Sequence, residues 1–318
     1  MLVAVSGSGF ECVELILNWL MKQHDFEVID NSKKDDDILD YATKNYTSNM
    51  VVHCEKLSLL DLLSKRPFFV HMSVEGTTAL KLKFNNFYNK ENKSDTMSMQ
   101  EALDAISNIN ETKHSILLSE NAHFKFKLVT DDDVDTLNEK LRKAISQILN
   151  EIELKNSASE LSPPLRPNWD EYFMKLATLA ASRANCMKRR VGCVIVRDRR
   201  VIATGYNGTP RHLTNCFNGG CPRCNDGNSG NLHTCLCLHA EENALLEAGR
   251  DRIGSNATLY CDTCPCLTCS VKIVQTGITE VVYSQSYNMD EDSFRVLKSG
   301  GVKIRKFNLI QEPRIIFI

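Results

Sequence analysis

The sequence lacks the marks of a membrane-spanning or secreted chain. No apolar run approaches the ~18 residues that a membrane-spanning helix requires. The opening, Met1-Leu-Val-Ala-Val-Ser-Gly7, has neither a basic stretch nor a long apolar one, so it does not read as a secretory signal. An excess of one charge sign is also missing. Lys and Arg number 38 against 40 Asp and Glu, for a net charge of −2. An extended basic face for long nucleic acid is therefore not demanded. Only two of the 318 residues are tryptophan, which leaves few broad stacking surfaces for bases. The expectation is a globular chain of cytoplasmic or nuclear location, with no membrane and no long nucleic acid among its partners.

What the chain has in quantity is cysteine, thirteen in all. A chain this long has no need of a small disulfide scaffold. Eight of the thirteen, from Cys216 to Cys266, fall within about fifty residues, and Cys269 follows at once. Clustering of this kind beside histidine favours metal over disulfides.

The length suits two domains with separate cores. Short apolar runs at 2–5, 26–30, 51–52 and 68–72 alternate with helical patterns, which suggests a parallel α/β sheet. A further strand is expected over 123–129, then a long amphipathic helix ending near Leu154. The polar stretch 88–97 reads as an insertion. Serine and proline crowd residues 156–167, the expected linker between domains at 1–155 and 168–318. In the second half, Asn168 can cap a helix, and 191–205 reads as a hairpin. The expected order there is α-β-β-α-β-α-β-α-β.

Two motifs carry the chemistry. His239-Ala-Glu241 and Pro265-Cys266-Leu-Thr-Cys269 supply one imidazole, two thiolates and a carboxylate. Three protein ligands leave a tetrahedral zinc one open position, as catalysis requires. Residues two apart on a regular helix point nearly opposite ways, so His239 and Glu241 share a site only at a helix start. Cys266 and Cys269 share a face if they open another helix. The helix amino ends would help hold thiolates there. Glu241 is then the proton carrier, in the arrangement known for zinc deaminases of nucleobases. The alternative is a closed structural zinc site completed by a fourth cysteine, Cys261 or Cys264, and Cys264, two residues before Cys266, could compete as a ligand.

The residues Arg190-Val-Gly-Cys-Val-Ile-Val196, Gly205-Tyr-Asn-Gly-Thr-Pro210, His239-Ala-Glu-Glu-Asn-Ala-Leu245 and Cys264-Pro-Cys-Leu-Thr-Cys269 resemble the cytidine/deoxycytidylate deaminase family. Gly-Tyr-Asn-Gly points to its deoxycytidylate branch, fungal type. The resemblance implies a three-layer domain with a mixed sheet between helices. It implies zinc-dependent hydrolysis of dCMP to dUMP and ammonia, the dUMP feeding thymidylate synthesis. It also implies dCTP as activator, dTTP as inhibitor and a hexamer. Asn207 and Tyr287 are expected at the substrate, and Arg190 and Arg250 at an effector. Lys188 and Arg189 are further candidates for phosphate. A structural zinc is implied as well, with Cys186, Cys216, Cys221 and Cys235 as ligands and Cys224, His233 and Cys237 as rivals. Few apolar residues between Arg211 and Thr234 would fold that loop, and a metal would order it.

The first domain opens like the strand, glycine loop and helix of nucleotide kinases. Counting from Gly7, however, the motif's second glycine, lysine and hydroxyl fall on Cys12, Val13 and Glu14. The expectation is a degenerate kinase-like α/β domain that transfers no phosphate.

Overall fold

The structure is a computed structural model. It describes every residue except 8–9, 78–79, 81–112, 130–132, 158–161, 227–233, 287–289 and 311–312. The expected insertion at 88–97 lies outside the described residues.

The chain forms two compact units, Met1–Arg166 with Ile310–Ile318, and Pro167–Leu309. The last nine residues thus belong with the first unit, whereas the sequence suggested one domain over 168–318. The physical reason is a strand. The tail segment β11 (Arg314–Phe317) pairs in parallel with β5 (Phe124–Leu128). Pairing across so long a separation leaves no local signal.

The first unit holds a six-stranded parallel sheet in the order β11-β5-β4-β1-β3-β2. Its other strands are β1 (Leu2–Gly7), β2 (Glu27–Ile29), β3 (Met50–His53) and β4 (Phe69–Gly76). Side chains alternate along β1. Val3 and Val5 pack on one face with α1 (Phe10–His24) and α5 (Val134–Ser157). Leu2 and Ala4 pack on the other with α2 (Asp35–Lys44), α3 (Leu57–Leu63) and α4 (Lys113–Glu120). A parallel sheet covered on both faces explains why these strands read as unbroken apolar runs.

The second unit holds a five-stranded mixed sheet, order β10-β9-β8-β6-β7. The hairpin β6 (Gly192–Arg197) and β7 (Arg200–Tyr206) is antiparallel. Next to it, β8 (Thr258–Thr263) runs antiparallel to β6 and parallel to β9 (Glu280–Gln285). Strand β10 (Lys303–Lys306) closes the edge. One face is covered by α6 (Trp169–Ala181) through Phe173, Met174 and Ala177. The other carries α7 (Ala240–Ile253), α8 (Leu267–Thr276) and α9 (Asp290–Ser299) through Ala244, Ile273 and Leu297. This is the expected three-layer α/β arrangement.

Two local devices fix α6. The Asn168 Oδ1 accepts from the Glu171 amide at 2.8 Å and caps its start. Asp170 accepts two bonds from the Arg305 guanidinium and one from the Tyr260 hydroxyl, all at 2.8–2.9 Å. The helix is thereby tied to β8 and β10.

Candidate active site and metal centre

The site stands where α7 and α8 begin. His239 caps α7 in an extended conformation, φ −76° and ψ 158°. Cys266 caps α8 likewise, φ −72° and ψ 168°. Non-helical caps let His239 and Glu241 face one side, which two residues of a regular helix cannot do. Cys269 follows in the first turn of α8 and is buried.

Glycine lets α7 come close. A Cβ on Gly205 would lie 2.1 Å from the Ala240 carbonyl and 2.5 Å from the Ala244 amide, so only glycine in β7 admits the helix at this distance. Leu238 then exchanges two backbone hydrogen bonds with Gly208, at 2.9 and 3.2 Å. The Asn243 side chain also donates to the Tyr206 carbonyl at 2.9 Å. Gly205-Tyr-Asn-Gly208 is in this way fastened to the histidine.

The His239 Nδ1 lies 3.3 Å from the Cys266 Sγ and 3.4 Å from the Cys269 Sγ. A tetrahedral zinc with ordinary bond lengths sets such N···S edges at about 3.6 Å. The three donors therefore fit one ion. Their proton affinities agree. The Cys269 thiol, hydrogen-bonded to Cys266, draws Cys266 down to about 3, while Cys269 itself is pushed well up by the same contact. The pair shares one negative charge, and a dication would let both ionise. Cys264 is buried on the cavity wall, but its sulfur is outside this group. Cys261 is buried opposite Cys193 across β6 and β8.

Glu241 is only 4% exposed, and burial pushes its carboxyl up to about 7. It faces a cavity of about 350 Å³ with His239, Cys266, Thr263 and Asn207. Asn207 is in place, but its amide is already engaged. It accepts from the Val191 amide and donates to the Arg189 carbonyl, both at 2.8 Å. Each of those two atoms keeps capacity for one more partner.

Lys188, Arg189 and Arg223 line the same cavity. The Arg223 Nε is buried without a hydrogen-bond partner among the described residues. Sequence reasoning missed Arg223, which sits in a four-residue helix, Pro222–Asn225, too short to show a periodic pattern. Arg190 and Arg250 are exposed and do not line the cavity. Arg250 follows a break in α7 at Gly249, φ 65°. Tyr287 and His233 lie outside the described residues.

Six further cysteines gather beside the cavity. Cys186, Cys216, Cys224 and Cys237 form one set of mutually close sulfurs, and Cys221, Cys224, Cys235 and Cys237 another. Cys186, Cys216, Cys221 and Cys235 do not make a single set, as the sequence suggested. They divide two and two.

A family model for the cytidine and deoxycytidylate deaminase zinc-binding region matches residues 167–285. The deoxycytidylate deaminase of Saccharomyces cerevisiae is 57% identical, over 100% of both chains. The chain belongs to the deoxycytidylate deaminase family. Its Schizosaccharomyces pombe relative is 47% identical over 86% of this chain and 81% of that one. The deoxycytidylate deaminase of Mycobacterium phage D29 is 47% identical over 37% of this chain and 95% of its own. A member of this deaminase family can thus consist of little more than one such domain.

Proposed function

We propose that the chain hydrolyses dCMP to dUMP and ammonia at the cavity above α7 and α8. The observation that carries this is Glu241: a buried carboxyl held near neutrality, on one cavity wall with a His-Cys-Cys set of zinc dimensions. His239, Cys266 and Cys269 would hold a zinc ion, which when bound would lower the pKa of a water toward neutrality. Glu241 takes a proton from the attacking water and delivers it to ring N3. The water oxygen bonds to ring C4, and the same carboxyl then takes the proton of that new hydroxyl and passes it to the amine, which leaves as ammonia when the C4–N bond breaks. Asn207 offers its remaining lone pair and N–H to the sugar. Lys188, Arg189 and Arg223 offer cationic donors to the 5′-phosphate, and Arg223 has an N–H to spare.

Family resemblance alone supports three additions. The dUMP feeds thymidylate synthesis, dCTP activates and dTTP inhibits, and the active form is a hexamer. Arg190 and Arg250, exposed and outside the cavity, remain the proposed effector contacts. The first unit is read as a kinase-like domain without phosphotransfer. Its order β2-β3-β1-β4-β5, with β1 ending at Gly7 before α1, supports that reading.

The test is to incubate the purified chain with dCMP, CMP, cytidine and a single-stranded oligonucleotide while measuring ammonia. Turnover of dCMP above the others is expected. Turnover of the oligonucleotide but not of dCMP would overturn the reading.

A further inference from the structure

Six cysteines lie together in a loop region that has almost no other interior. Cys216, Cys221 and Cys224 are buried, and what packs against them is Cys186, Cys235 and Cys237. No Leu, Ile, Val or Phe joins that cluster among the described residues. A loop of this composition cannot offset its ordering entropy by apolar burial.

The sulfurs are arranged in a definite way. Two sets of four each lie within 4.8 Å internally, and they share exactly the pair Cys224 and Cys237. Cys186 and Cys216 complete one set, and Cys221 and Cys235 the other. The Cys186–Cys224 separation is 3.8 Å and the Cys221–Cys235 separation 3.9 Å. The edge of a tetrahedron of thiolates around zinc is about 3.8 Å. Two tetrahedra joined along one edge use six corners, with the two shared corners common to both. That is the partition seen.

Backbone amides are aimed at the unshared sulfurs. Met187 N–H donates to the Cys216 Sγ and Leu236 N–H to the Cys221 Sγ, each at 3.4 Å. Such bonds stabilise terminal thiolates and fix their orientation. Charge points the same way. Six thiolates around two dications carry about −2, against about −4 around one. Lys188, Arg189 and Arg223 stand on the adjoining wall.

We propose that Cys186, Cys216, Cys221, Cys224, Cys235 and Cys237 hold two zinc ions in one binuclear cluster, bridged by the thiolates of Cys224 and Cys237. The chain then carries three zinc ions, one of them at His239. The cluster adjoins the cavity, and the backbone runs from bridging Cys237 through Leu238 to His239. It therefore serves as the missing core of the loop and anchors the histidine. The proposal is independent of which base or nucleotide the site accepts.

Native mass spectrometry of the full chain tests it. Three zinc ions per chain are expected, and two in a Cys266→Ser/Cys269→Ser variant. Two in the wild type and one in the variant would overturn the proposal, as would copper in the cluster or a mass short of six hydrogens with only one metal bound. Cadmium-113 exchanged into the wild-type protein gives a second reading that needs no variant. Two resonances split by mutual coupling through shared sulfur are expected, with a third uncoupled. Cluster resonances without mutual coupling would overturn the bridging.

Discussion

The His239 set and the six-cysteine loop border one cavity, yet they are held by opposite means. His239 and Cys266 sit on helix caps whose helices bury Ala244, Leu245 and Ile273 against a packed sheet. The fold positions those ligands before any ion arrives. The six-cysteine loop has no such support, and its sulfurs are its interior. The first is a site preorganised by a core, as catalysis needs. The second is a core made by ligands, as small metal-folded modules are.

Several changes would break or sharpen that contrast. The largest effect is expected for Glu241→Gln, which keeps shape and removes the proton carrier. Loss of kcat on dCMP by about 10²–10⁴ is expected, with zinc retained at His239. Full activity with metal bound would refute the assigned role. Next comes Cys237→Ser, which removes one corner from both tetrahedra. We expect loss of cluster metal and rapid proteolysis within 210–235, while the α8 end of the site keeps its packing. Equal protease resistance in variant and wild type would show that the loop has another core.

Gly205→Ala probes the preorganised side. Its Cβ meets backbone 2.1 Å away, so α7 must shift. Destabilisation of about 1–3 kcal/mol is expected, read as a fall in the denaturant midpoint, together with weakened catalysis. Arg223→Ala is milder. A rise in KM for dCMP of about tenfold is expected, with little change for deoxycytidine, which lacks the phosphate. The smallest effect is in pH dependence. Glu241 must start ionised, and its ionised fraction grows as pH rises through its pKa. Burial sets that value at about 7, and a bound cation lowers it. The acid limb of kcat/KM should therefore have its midpoint at or below about 7. A flat profile from about pH 4 to 8 would contradict this.

Much of the catalytic geometry is legible in the sequence because it rests on local rules. The pair His239 and Glu241 demands a helix start, and Cys266 with Cys269 demands another. In the sequence Gly-Tyr-Asn-Gly points only to the deoxycytidylate branch, and the close approach of α7 to Gly205 is visible only in the structure. The partition of the six cysteines is not legible, because spacing along a loop does not say which sulfurs share an ion. Arg223 escapes notice because its helix, Pro222–Asn225, is too short for periodicity to mark which side faces the cavity. In helix α2 only Ile38 and Ala42 are fully buried, with Leu39 and Tyr41 packed in part, and a helix this short gives too faint a stripe to read. Strand β11 pairs with residues almost two hundred positions earlier, and no local pattern reports that.

The central claim is that metal at His239, Cys266 and Cys269 makes this chain a dCMP-hydrolysing enzyme. The most direct test strips all metal, returns zinc in measured equivalents, and follows ammonia release from dCMP beside metal occupancy at His239. Turnover should vanish on stripping and return in proportion to that occupancy. Undiminished turnover by metal-free chain, or none with the site filled, would contradict the account.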